Sequence, residues 1–123
     1  MFDHVQLRVT NLDRSVRFYT AVLAPLGAVL CSRDDSSAGF GPPGEPRFWL
    51  SIAPKGEATA YVHLALAAND EKAVARFHAA GLDAGGRDHG KPGPRPDYGS
   101  SYHAAFLIDP DGHNIEAVCH EPE

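Results

Sequence analysis

The chain has 123 residues, 43% of them hydrophobic and 22% charged, with a net charge of -5 at neutral pH. That length suits one compact domain able to bury a core without staples. The acidic balance argues against a nucleic-acid partner, because neutralising phosphates takes a surplus of lysine and arginine, and no apolar run approaches the roughly 20 residues of a membrane span.

The first strand pattern begins at residue 2 or 3, which leaves no room for the basic and apolar regions of a secretory signal, so a cytoplasmic location is expected. In a reducing compartment Cys31 and Cys119, each inside an apolar segment, read as small buried hydrophobes rather than a disulfide.

Residues 3 to 9 alternate, with Val5, Leu7 and Val9 on one face and His4, Gln6 and Arg8 on the other, as in a half-buried strand. Asn11 is a good helix N-cap, and Leu12, Val16, Tyr19, Val22 and Leu23 recur at helical spacing until Pro25 and Gly27 end the run. Short strands follow at 28 to 33, more weakly around 37 to 41, and at 47 to 52.

The pattern then starts again. Residues 4 to 27 laid over residues 63 to 86 without a gap share seven identities in 24 positions, among them His4 with His63, Phe18 with Phe77 and Gly27 with Gly86. Unrelated segments would share roughly one or two. The second copy has a strand at 61 to 67, a helix capped by Asp70 and ended by residues 81 to 86, a short strand near 82 to 87, and strands at 102 to 108 and 113 to 119. Asp109, Pro110 and Gly112 make a type I turn between the last two. The expected fold is therefore α+β: two βαβββ modules, about 1–56 and 57–123, with helices on one face of the strands and the other face open.

Three ionisable residues fall on the open faces: His4 in the first strand, His63 in the fifth and Glu116 in the last. Singly, each reads as a partly exposed polar residue. Together, at repeat-related and same-face positions, two imidazoles and a carboxylate make a three-ligand site with open positions, suited to Zn, Fe, Mn or Ni as a divalent ion.

The paired copies, the strand "YVHLALA" at 61 to 67 and the closing "FLIDPDGHNIEAV" at 106 to 118 resemble the vicinal oxygen chelate superfamily, which includes glyoxalases, bleomycin resistance proteins and extradiol dioxygenases. The resemblance spans nearly the whole chain. It implies a curved, open cup of mixed sheet with the helices outside, metal ligands at His4, His63 and Glu116, and a small-molecule substrate chelated through two oxygens. It also implies a homodimer, with modules paired within a chain or across the two-fold axis. Glyoxalase I takes a fourth ligand, a second glutamate that also serves as acid and base in the isomerisation, from the last strand of the first module, where this chain aligns Ser51, a poor substitute for both roles. The reaction class stays open among lyase or isomerase, dioxygenase and transferase chemistry. The rival readings are a metal-free binding protein of the bleomycin-sequestering type and a dimeric ferredoxin-like binding domain.

Residues 85 to 103 are Gly/Pro-rich and longer than their first-copy counterpart, which suggests either a cover over the cup or a surface loop. This segment carries Arg87, His89, Lys91, Arg95, Tyr98 and Tyr102. With Trp49 and Ser51, which share a strand face, Arg95 and Tyr98 are the expected substrate-pocket residues. His78, His89, His103, His113 and His120 read as structural or exposed.

Overall fold

The computed structural model describes residues 1–55, 57 and 60–120; the expected module boundary at residue 56 and the last three residues lie outside this set. The first half of the chain builds strand β1 (Val5–Val9), helix α1 (Leu12–Leu23), and strands β2 (Val29–Arg33), β3 (Ser37–Gly41) and β4 (Phe48–Ile52). The second half repeats it with β5 (His63–Ala67), α2 (Glu71–Asp83), β6 (Arg87–Pro94), β7 (Tyr102–Ile108) and β8 (Asn114–His120). The strand orders are β1-β4-β3-β2 and β5-β8-β7-β6. In each sheet the first strand runs parallel to the last, and the other neighbours are antiparallel. The fold is thus α+β, two open mixed sheets with a helix apiece.

Both helices start where a short acceptor meets an unpaired backbone N–H. Asn11 Oδ1 accepts from Arg14 N at 3.0 Å, and Asp70 Oδ1 accepts from Ala73 N at 2.8 Å. After α1 a single 3-10 turn over Ala24–Leu26 ends at Gly27, whose φ of 84° is left-handed backbone that glycine adopts without strain.

Helix α1 packs on the first sheet, α2 on the second, and the helices pack on each other, so one hydrophobic core runs through both halves. The repeat partners Phe18 and Phe77 are both fully buried in it. Gly81 permits this approach: a Cβ there would lie 2.2 Å from Leu107 Cδ1 and 3.2 Å from Val22 Cγ1. The β7–β8 turn adds polar ties to the first half. Tyr19 Oη donates to Asp109 Oδ2 at 2.5 Å, while Asp111 Oδ1 accepts from the backbone N–H of Thr10 at 3.0 Å and from its hydroxyl at 2.6 Å. Cys31 and Cys119 are not joined in a disulfide.

The Gly/Pro-rich segment departs from expectation. Helix α2 continues to Asp83, where a short strand was expected, and the strand lies later, over Arg87–Pro94, inside the stretch read as cover or loop. Its pairing with β7 breaks register between Asp88 and Gly90 and again between Gly90 and Gly93. As a sheet edge, β6 has one side free of ladder bonds, so Pro92 and Pro94 are tolerated there. The two irregularities erase the period-two alternation by which a strand is recognised.

Candidate functional site

The helix-free face of the second sheet brings a carboxylate, an imidazole and a phenol together. Parallel pairing sets His63 beside Asn114 and Ala65 beside Glu116, and β7 sets Phe106 on the other side of Glu116. The small Ala65 leaves room for the His63 ring to reach over, and its Nε2 lies 2.8 Å from Glu116 Oε1. Tyr102, which opens β7, donates its hydroxyl to Glu116 Oε2. Only 2% of the Glu116 side chain is exposed, against 47% for His63. Loss of solvent and the adjoining Glu116 charge push the Tyr102 phenol up to about 12, so at neutral pH it remains the donor.

Beside this cluster lies a cleft of about 380 Å³ lined by His63, His89, Arg95, Tyr98, Phe106 and Asn114. Arg95 is caged there. Its guanidinium lies 5.5 Å from the Phe106 ring centroid and donates to the carbonyls of Lys91 at 2.6 Å and Gly93 at 2.9 Å. Gly90 and Gly93 keep this space clear: a Cβ at Gly90 would sit 2.9 Å from Phe106 Cδ1 and 3.3 Å from Arg95 Nη2. The Asn114 Oδ1 atom is buried and has no hydrogen-bond partner among the described residues.

The first sheet's open face carries Gln6, Arg8, Trp49 and Ser51, as the β1–β4 register requires. Gln6 Nε2 donates to Ser51 Oγ at 2.8 Å, so the Ser51 hydroxyl is engaged by an amide. Arg8 pairs with Glu57 at 2.8 Å, an exposed contact worth at most about 1 kcal/mol. His4 is 57% exposed, with Nδ1 2.7 Å from Asp3 Oδ1, and that hydrogen bond holds the Asp3 carboxyl below its ordinary range.

Of the three expected ligands, the chain brings His63 and Glu116 together and leaves His4 apart. His4 borders an apolar groove of about 410 Å³ with Leu64, Leu66 and Ala67 of β5, whereas His63 lines the separate cleft. The cause is the antiparallel sense of β1 against β5: Thr10, past the end of β1, is bonded to the turn that feeds β8 at the His63 end. Equivalent points in the two copies therefore lie at opposite ends. Among the described residues, no three His, Cys, Asp or Glu side chains gather to hold an ion.

Phe106 was not singled out from the sequence, and Tyr102 was named only as part of the segment from 85 to 103. Tyr102 and Phe106 share the parity of Ala104 in β7, so alternation alone carried the signal that they face the cleft. The remaining histidines divide by burial. His78 lies 2.8 Å from Asp88 and, with the Gly90 backbone N–H, lowers the Asp88 carboxyl; His113 is buried and accepts from Val62 N at 3.1 Å; His89 lines the cleft.

The fold has known counterparts. The profile of the Glyoxalase/Bleomycin resistance protein/Dioxygenase superfamily matches residues 1–117, and the chain belongs to that superfamily. A probable lactoylglutathione lyase of Vibrio cholerae is 31% identical, over 94% of this chain and 87% of the relative. Lactoylglutathione lyase of Arabidopsis thaliana is also 31% identical, but this chain spans only 44% of its length. Among solved structures, a glyoxalase/bleomycin resistance protein from Albidiferax ferrireducens superposes with a TM-score of 0.85 at 31% identity, covering 96% of this chain and 98% of that one. Glyoxalase I from Zea mays gives 0.73 at 27% identity, over 95% of this chain and 45% of its own. Among the described residues, no helix is long and apolar enough to cross a membrane.

Proposed function

We propose that this protein is a metal-dependent enzyme acting on a small molecule that presents two neighbouring oxygens. His63 and Glu116 hold a divalent ion, and His4 reaches the same ion from the first sheet of a second copy of the chain. The His63–Glu116 pair carries the reading: a nearly fully buried carboxylate and an imidazole nitrogen, one N and one O donor 2.8 Å apart at the edge of a cleft, form a donor set that suits Zn, Fe, Mn or Ni. The ion would act as a Lewis acid, stabilising oxyanion or enolate charge on a chelated substrate.

The chain's own groups do the rest. Arg95 and Tyr98 contact the substrate from one side of the cleft, with Phe106 as a flat apolar wall. Trp49 and Ser51 approach from the copy that brings His4. The Ser51 hydroxyl, bonded to Gln6, is too weak a base to carry a proton at neutral pH, so proton movement falls to another group or to the substrate. The relatives' lyase names thus support superfamily chemistry here more strongly than that particular isomerisation. A second reading, a metal-free binding protein, draws on one observation: both Glu116 oxygens already have partners in His63 and Tyr102.

Elemental analysis of protein purified without chelator or affinity metal, then reloaded, tests the proposal. Stoichiometric divalent metal that disappears in His63→Ala supports the enzyme; a metal-free wild type after reloading favours the binding protein. Mixing His4→Ala with Glu116→Ala chains separates the arrangements, because a site shared between copies regains half its metal in the mixed dimer and a site within one chain regains none.

A further inference from the structure

Glu116 carries two neighbours, and only one of them belongs to the donor pair. Tyr102 faces His120 in the β7–β8 register, and its ring makes edge contacts with Tyr98 at 5.2 Å and His120 at 5.1 Å. Held between those rings, the phenol reaches along the open face to Glu116 Oε2, while Oε1 meets His63. The terminal torsion of a glutamate is broad and roughly two-fold, so a carboxylate with one oxygen untethered can turn its plane or offer both oxygens to an ion. For this carboxylate, itself only 2% exposed, the phenol removes that freedom.

We propose that Tyr102 is the positioning residue of this site, fixing Glu116 through Oε2 so that a single oxygen, Oε1, is presented beside His63. The inference rests on the reading of His63 and Glu116 as metal ligands. Tyr102 touches neither ion nor substrate. Its hydroxyl sets the orientation of a ligand, as outer-shell partners do in metal sites, where their loss typically weakens metal binding 10- to 100-fold. An ion would be held by His63 Nε2 and Glu116 Oε1, while the hydroxyl of Tyr102 engages Oε2 and orients the carboxylate.

Tyr102→Phe keeps the ring and its edge contacts and deletes only the oxygen. Zn²⁺ affinity of the full-length chain, measured by competition with a chromophoric chelator, and the visible spectrum of the Co²⁺-loaded protein read the effect without any turnover assay. The expected result is 10- to 100-fold weaker Zn²⁺ binding and a shifted Co²⁺ spectrum, with the near-UV dichroism and melting of the metal-free protein close to wild type. Wild-type affinity and spectrum in Tyr102→Phe overturn the inference and leave the metal reading standing. Weaker binding matched by a comparable loss of metal-free stability also overturns it, since a structural defect then suffices. A wild type that binds neither Zn²⁺ nor Co²⁺ sinks the metal reading and this inference together.

Discussion

Tyr19→Phe probes what sets the two halves against each other. Tyr19 is fully buried on α1, its ring 5.0 Å from those of Phe18 and Phe48, and its hydroxyl donates to Asp109 in the β7–β8 turn. Phenylalanine keeps the ring packing and removes one hydrogen bond to a charged acceptor, a contact worth about 1.5–3 kcal/mol. Asp109 retains the backbone N–H groups of Asp111 and His113, both at 2.9 Å on Oδ1, so its charge is not orphaned. A loss of about 2 kcal/mol follows. For a chain of this size that lowers Tm by roughly 8 °C.

The pH dependence supplies a second readout. Burial first, then the Asp109 charge and hydrogen bond, raises the Tyr19 phenol well above 10 in the folded state. Its contribution is complete below the unfolded value near 10 and is lost as pH rises through the folded value, because above 10 the unfolded chain binds fewer protons than the native one. Urea unfolding at pH 8 and pH 11 should therefore show the wild-type advantage shrinking at the higher pH. A destabilisation below about 0.5 kcal/mol at pH 8, or one unchanged at pH 11, would refute the assignment of this bond as a tie between the halves.

Two smaller perturbations test the framework around the site. Asp70→Ala deletes the side-chain acceptor for Ala73 N and should cost about 1 kcal/mol in chemical denaturation, the usual worth of such a cap. Gly81→Ala sets a helix-propensity gain of about 1 kcal/mol against the overpacking of Leu107 and Val22, about 1–3 kcal/mol. Both neighbours are fully buried, so a net destabilisation of about 1 kcal/mol is expected; a stabilised variant would mean that α2 has room to move off α1 and β7.

The sequence determined what depends on near neighbours. The helix starts at Asn11 and Asp70 follow from side-chain acceptors three residues from the N–H groups they satisfy. Alternation along β5 and β8 put His63 and Glu116 on one face, because the pleat turns successive side chains to opposite sides whatever the strand meets. The match of residues 4 to 27 with 63 to 86 announced two copies of one unit, and the two sheets have the same strand order. Strand β6 escaped the same reading because its two register breaks destroy the alternation that the reading depends on.

Tertiary structure alone decided how the copies face each other. A repeat equates His4 with His63 but says nothing of the direction in which one copy is laid beside the other. That direction comes from contacts between residues distant in the chain: Tyr19 with Asp109, Thr10 with Asp111, and Gly81 between Val22 and Leu107. They bury one core between both helices and set β1 against β5 in opposite sense, which takes His4 away from the pair it matches in sequence. The bond from Tyr102 to Glu116 is likewise a product of sheet pairing, since only the β7–β8 register brings residues 14 apart in sequence onto one carboxylate.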